Sequence, residues 1–402
     1  MLRVSSAIGS LSPSPTLAVT ARAKELKAQG VDVIGFGAGE PDFDTPDHIK
    51  DAAIAAIREG YTKYVVPASG SPELKDAIIE KFKKDNGLDY EREQIVVSCG
   101  AKHSLFNAFH ALHNPGDEAI ISAPYWVSYP QQAKSAGARP VIVETGTSFK
   151  LDPEQLRSAI TSRTKFFVLN SPSNPTGAVY SRDELESIAE VVIEKGIAVV
   201  SDEIYENILY DGAKHVSIAS LNEQIKSQTI VVNGVSKSYA MTGWRIGYAA
   251  GPKEIMTAVS RLQDQSTSGP TSISQKASIA ALRGDQSCIA QMVKAFDERR
   301  RLITARAGEI FGREIQPPAG AFYLFVNVSS VFGHRYDDVE IRSASDLAGY
   351  LLDAAKVAVV PGEGFGAPDY VRLSYAMSRE SIEEGMNRIG EAVRRLRKGT
   401  KQ

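Results

Sequence analysis

One apolar run of the chain, TIVVNG, ends at Gly234 and is followed by Val235, Ser236 and Lys237. A strand that stops there delivers the lysine into a ligand crevice, where burial lowers its pKa and frees the amine for Schiff-base or general-base chemistry. Eight residues on, Arg245 carries a guanidinium whose fork suits a phosphate. Either residue alone reads as a surface cation in an ion pair; both gain weight from the residues at the ends of the other apolar runs. Those ends hold Cys99-Gly100-Ala101-Lys102, Ser122-Ala123-Pro124-Tyr125-Trp126, Asn170 to Pro175, and Asp202-Glu203-Ile204-Tyr205. Competing chemistries lack their parts. His103, His110 and His113 are without the i, i+4 pair, carboxylate or cysteine of a helical zinc site, so no metal is expected and partly buried helix residues are the reading. No Gly-x-Ser-x-Gly follows a strand. Gly37-Ala38-Gly39 lacks the third glycine of a dinucleotide fingerprint and runs into Pro41 where a helix should start.

The elements that must position these residues alternate. From residue 94, short β-branched runs are separated by helical stretches: QIVVSCG, EAIISAP, RPVIVET, TKFFVLN, IAVVSDEIY, TIVVNGVSK and WRIGYAAG. The runs are nearly all apolar, as strands covered on both faces should be, which predicts an α/β domain with a mostly parallel sheet. Ligands then bind beyond the carboxyl ends of the strands, where the residues above lie. After about residue 290 the pattern changes to a long polar helix reaching Phe311, a helix near Ser345 to Lys356, a strand YVRLSYA and a terminal helix from Ser378. Three segments are expected: 1–46, an N-terminal piece with an amphipathic helix from Ala18 to Gln29 that joins the small domain; 47–290, the large domain; and 291–402, the small one.

At 402 residues and 43% hydrophobic, the chain can bury a large core without disulfide or metal. Its 46 basic and 48 acidic residues leave a net charge of −2, so no global field favours nucleic acid or an anionic membrane. Cys99 and Cys288 read as free thiols in a reducing compartment, and no apolar run is long enough for a membrane span, so a cytoplasmic enzyme of small molecules is expected. The mixed charge run Asp297 to Arg301 reads as a solvated helix face.

The string from Ser236-Lys237 to Gly247, with Asn174-Pro175-Thr176-Gly177, Asp202 to Tyr205 and Arg372-Leu373-Ser374-Tyr375, resembles the class I aminotransferases of fold type I, most of all the bacterial aspartate aminotransferases. The likeness runs through almost the whole chain. It implies pyridoxal 5'-phosphate as cofactor, amino and 2-oxo acids as substrates, a large domain with a mostly parallel, seven-stranded-type sheet, a small domain from both chain ends, and a homodimer sharing its active sites. It also implies roles. Lys237 carries the cofactor and shuttles the substrate proton; Asp202 pairs with the pyridine nitrogen; Tyr205 and Asn174 donate to the ring hydroxyl; Trp126 stacks on the ring. Gly100, Ala101 and Lys102 open a helix whose N–H groups and dipole favour the phosphate, with Ser236 and Arg245 beside them. Arg372 and Gly39 hold the substrate α-carboxylate, and Tyr64 reaches the phosphate of the neighbouring subunit.

Two departures stand out. Some members have a serine three residues before the lysine, where this chain has Gly234, with Lys102 or Ser236 left to compensate. Members that accept prephenate carry a basic residue near Ser12, followed by a threonine such as Thr16. The reaction expected is amino transfer between L-aspartate and 2-oxoglutarate. The alternatives are alanine, aromatic or prephenate/arogenate transamination, or a lyase acting on sulfur amino acids. A non-catalytic sensor would need a DNA-binding segment that the residues before Gly39 do not supply. No arginine matches the distal-carboxylate pocket; Ser266, Thr267 or Ser268 are candidates from the partner subunit.

Overall fold

The computed structural model describes residues 2–337 and 339–398. Seven strands form one sheet: β1 (Ile95–Ser98), β2 (Glu118–Ala123), β3 (Arg139–Glu144), β4 (Thr164–Asn170), β5 (Ala198–Asp202), β6 (Thr229–Gly234) and β7 (Gly247–Ala250). Their order is β1-β7-β6-β5-β4-β2-β3, parallel throughout except for β7, which runs antiparallel to both neighbours. The apolar runs are explained by two-sided burial. On β4, Phe166 and Val168 pack into one core cluster while Phe167 and Leu169 pack into another. Each such side chain contributes about 1.5–3 kcal/mol by leaving water, so a polar residue on either face would cost a comparable amount.

The parallel order puts the ends of β4, β5 and β6 side by side, with Asn170 opposite Asp202 and Asp202 opposite Val232. Asp202 therefore ends its strand beside the segment that leads to Lys237. A second sheet carries Arg372: β8 (Tyr323–Asn327), β9 (Val360–Pro361) and β10 (Tyr370–Ser374), with β10 in the middle and Arg372 opposite Phe325 and Val360. Near the start of the chain, Ile34–Gly35 pairs in parallel with Val357–Ala358.

Helix α1 (Pro15–Ala28) begins where Ser14 caps Leu17 N–H, three residues earlier than the sequence suggests. It is not amphipathic: Ala23 alone is buried and Leu17 stands exposed. The long helix α2 (Ser287–Phe311) differs from expectation too. Its charge run is not a solvated face, because Arg300 is 1% exposed, paired with Asp297 and Asp211 and bonded to the Pro318 carbonyl at 3.0 Å. Its guanidinium lies over Tyr210. A helix of mixed charges faces solvent only where no core partner requires one of them. No described helix is long and apolar enough to cross a membrane.

Candidate active site

A cavity of about 390 Å³ opens between the carboxyl ends of the large sheet, the N-terminus of a helix α3 (Ala101–Leu112), the start of α1 and strand β10, a size that suits a cofactor with a small substrate. The nearest approach to catalysis is the Lys237 amine, which donates to the Gly39 carbonyl at 2.6 Å. Burial pushes its pKa down to about 8; Glu40 and Asp202 resist the shift, and Arg245 and Arg372 add to it. A lysine in that state releases its proton near neutrality.

Asp202 faces the same space. Tyr129 donates to it at 2.7 Å and Ile204 N–H at 3.3 Å, yet burial pushes the carboxyl up to about 6. Among the described residues no cation is in hydrogen-bond contact with this buried acid, the arrangement that favours a positive group brought in by a ligand. Tyr205 is buried, its hydroxyl 2.8 Å from that of Tyr323.

Arg372 is 2% exposed. It donates to Asn174 Oδ1 and to the Gly37 carbonyl, each at 3.0 Å, while Tyr323 and Phe365 pack on its guanidinium. Among the described residues its Nε has no partner, and burial lowers its pKa. An unpaired donor in so buried a fork is prepared for an anion.

At the helix end, Gly100 adopts φ 89° and gives its own N–H to Ser98, so it bends the chain and leaves the N–H groups of Ala101 and Lys102 to face an anion. Arg245 lies across it, itself left-handed at φ 58° and held by the Thr242 and Cys99 carbonyls. The fit is close: a Cβ at Gly100 would strike the Arg245 guanidinium, and one at Gly247 would overlap the Ala101 backbone. Gly234 is constrained likewise, for a Cβ there would stand 2.9 Å from the Ile246 carbonyl. The missing hydroxyl is thus a steric consequence of how β6 and β7 pair. Ser236, buried, lines the cavity; Lys102 lies 4.9 Å from the Trp126 ring centroid.

The architecture and the site together identify the protein's kind. The family model for aminotransferase class I and II matches residues 31–389. The chain belongs to this family of aminotransferases. It is 53% identical over 390 residues to the aspartate aminotransferase of Geobacillus stearothermophilus, covering 96% of this chain and 98% of that one. It is 49% identical to the aspartate/prephenate aminotransferase of Nitrosomonas europaea, covering 98% of this chain and all of that one. Among solved structures, the aspartate aminotransferase of Rhizobium meliloti superposes with a TM-score of 0.95 at 45% identity, covering 99% of this chain and 100% of that one. That of Thermus thermophilus with maleate gives 0.91 at 43%, covering 98% of this chain and 100% of that one.

Aminotransferases of this class use pyridoxal 5'-phosphate, and the residues present fit it: a buried acid without a cation, a lysine ready to lose its proton, and helix N–H groups beside an arginine. Tyr64 is 88% exposed and lies outside this chain's cavity, as do Ser266, Thr267 and Ser268, all exposed. His103, His110 and His113 do not converge on one point. The Nδ1 atoms of His110 and His113 lie against Phe106 and Phe109 carbonyls one turn back, and His103 accepts from Cys99 N–H. Sequence reasoning missed Tyr129, Tyr323 and Glu40. Tyr129 and Tyr323 carry no signal separating them from core tyrosines, and Glu40, which accepts from Thr242 at 2.8 Å, stood in a loop read for its glycines.

Proposed function

We propose that this aminotransferase moves the amino group between L-aspartate and 2-oxoglutarate by a ping-pong mechanism through Lys237. The observation that carries the reading is one cavity holding the Lys237 amine, poised near neutrality, and the Arg372 guanidinium with an unpaired Nε. Pyridoxal phosphate, when bound, supplies an electron sink next to the substrate Cα. Asp202 holds its ring nitrogen, Tyr205 and Asn174 its ring hydroxyl, Trp126 its face, and Ala101, Ser236 and Arg245 its phosphate. Arg372 grips the α-carboxylate with its fork, beside the Gly39 backbone. Lys237, whose amine lies in the same cavity, would take the substrate Cα proton and hand it back as the general acid.

Lys102 is the cavity's remaining cation, and we assign it to the second carboxylate of a dicarboxylic substrate. Maleate, named with the Thermus thermophilus neighbour, is such an acid. Prephenate is a second substrate to test, since relatives at 48–49% identity are named for it and Thr16 lines the cavity, although Ser12 does not. We further infer a cytoplasmic homodimer, in keeping with two free cysteines and with Leu17, Ile54, Ile57, Tyr64 and Val66 left exposed; Tyr64 then serves the partner's phosphate.

The test is spectroscopic. The visible band of the bound cofactor shifts on adding L-aspartate and returns on adding 2-oxoglutarate. A Lys237→Ala protein that behaves identically refutes the mechanism, and release of ammonia and pyruvate from a single amino acid would indicate a lyase instead.

A further inference from the structure

The residues after β5 make one tight turn, with Glu206 N–H donating to the Glu203 carbonyl at 3.0 Å and Ile208 N–H to that of Tyr205 at 2.8 Å. Asp202 and Tyr205 face the cavity; Glu203 and Glu206, one residue further on, do not line it and are nevertheless buried. Behind the turn, Glu203 accepts from Ser201 and Ser217, each at 2.8 Å, and lies 2.9 Å from His215 Nε2. Glu206 pairs with Lys81 and accepts from Asn86 at 2.8 Å, and Lys81 donates to Asn86 at 2.6 Å. Lys81 ends a helix that continues as a π-helical turn, Phe82–Asn86, an element often found near functional sites.

By spacing, Glu203, Glu206 and His215 are near enough to hold a metal ion. The surroundings argue otherwise, because Lys81 and two serine hydroxyls already engage the carboxylates. Two buried acids, with Asp85 4.0 Å from Lys81 as a third at the edge, meet one lysine and one imidazole. Burial pushes the His215 pKa down, but Glu203 and Glu206 outweigh it and the net direction is up, toward a charged imidazole. The charged groups acting on His215 are Glu203, Glu206 and Lys81, with Asp85 beyond Lys81, so its proton sets how much of the acids' charge behind Asp202 is offset.

We propose that Glu203 and Glu206, with His215 and Lys81 as their partners, are positioning residues that grip the back of the turn and so fix Asp202 and Tyr205 in the cavity. The proposal rests on the aminotransferase reading of that cavity. Its first consequence, however, needs neither cofactor nor substrate: in cofactor-free protein, amide hydrogens of Ile204 to Ile208 exchange at least about tenfold faster in His215→Ala than in wild type, while β1 amides do not change. Equal exchange in the turn overturns the proposal whatever the activity.

In the loaded enzyme, Glu203→Ala and His215→Ala lower kcat for L-aspartate about tenfold and leave KM within about twofold, because Arg372 is untouched. They also shift the pH midpoint of the bound cofactor's visible absorbance, since Asp202 feels Glu203. His215→Gln, which keeps a donor toward Glu203, restores most of kcat and covers the case in which an alanine variant does not fold. Variants with lowered thermal stability but unchanged kcat and midpoint show a merely structural role and refute the proposal. A wild-type protein without aspartate turnover would refute the functional reading and leave the exchange result standing.

Discussion

The turn after β5 has two faces built by opposite rules. Behind it, the Glu203 and Glu206 carboxylates are matched by Ser201, Ser217, His215, Lys81 and Asn86. In front, among the described residues, Asp202 has one hydroxyl and one N–H but no cation in contact, and Arg372 Nε has no partner. An unpaired buried polar atom costs about 1–3 kcal/mol, so the back face is what a stable protein requires and the front is what a ligand must complete. Around this turn the carboxylates on the scaffold side are matched while groups facing the cavity keep unfilled valences; unpaired atoms away from the cavity, such as His215 Nδ1 and Thr304 Oγ1, show that an unmatched group marks the site only together with the cavity it faces.

The sharpest way to break that contrast is Lys237→Ala. It should reduce aspartate turnover by about 10⁴-fold without lowering the thermal midpoint, because the amine it removes is held at a pKa of about 8 against burial. Loss of stability matching the loss of activity would place Lys237 in the scaffold. Next in size is Arg372→Lys, which keeps the charge but not the fork; kcat/KM for aspartate should fall about 10²-fold, roughly 3 kcal/mol, mostly through KM. An unchanged KM in steady-state assays would remove Arg372 from the carboxylate site.

Asp202 gives the front face a pH signature. Its folded value of about 6 lies above the ordinary 3.8, so the folded protein keeps this proton after the unfolded chain has lost it. Stability attributable to Asp202 therefore falls as pH rises from about 4 to about 6, by on the order of 3 kcal/mol, and stays lost above that. Urea titrations of cofactor-free wild type against Asp202→Asn should show that difference, and loading the cofactor should abolish it. A flat difference would mean that Asp202 is already satisfied. His215 acts in the same direction: its raised value stabilises at low pH, a contribution lost as pH climbs through the folded value. The smallest effect is expected of Lys102→Ala, about tenfold in kcat/KM for aspartate and none for alanine, the size of one charge-assisted hydrogen bond. Equal losses for both donors would return Lys102 to the phosphate.

Much of the site is legible in the chain alone. Lys237, Asp202 and Asn174 come after apolar runs, and strands buried on both faces leave few places for polar residues except their ends. Arg372 is visible as a charge amid apolar neighbours. The errors arise where a pattern does not say what lies across from it. Arg300 sits in a mixed-charge helical run that looks solvated, but Asp211 and the Pro318 carbonyl meet it from other elements. Glu203 and His215 are 12 residues apart and joined by a fold contact no spacing rule supplies.

By itself, then, the sequence determined the α/β alternation, the residues at the strand ends and the chemistry their types allow, because periodicity and side-chain identity are local properties. Only the tertiary structure decided which of those residues share a cavity, why position 234 has room for no side chain, and which acids are paired. Those outcomes depend on distances between segments far apart in the chain, and burial turns such distances into shifted pKa values and unmatched hydrogen bonds.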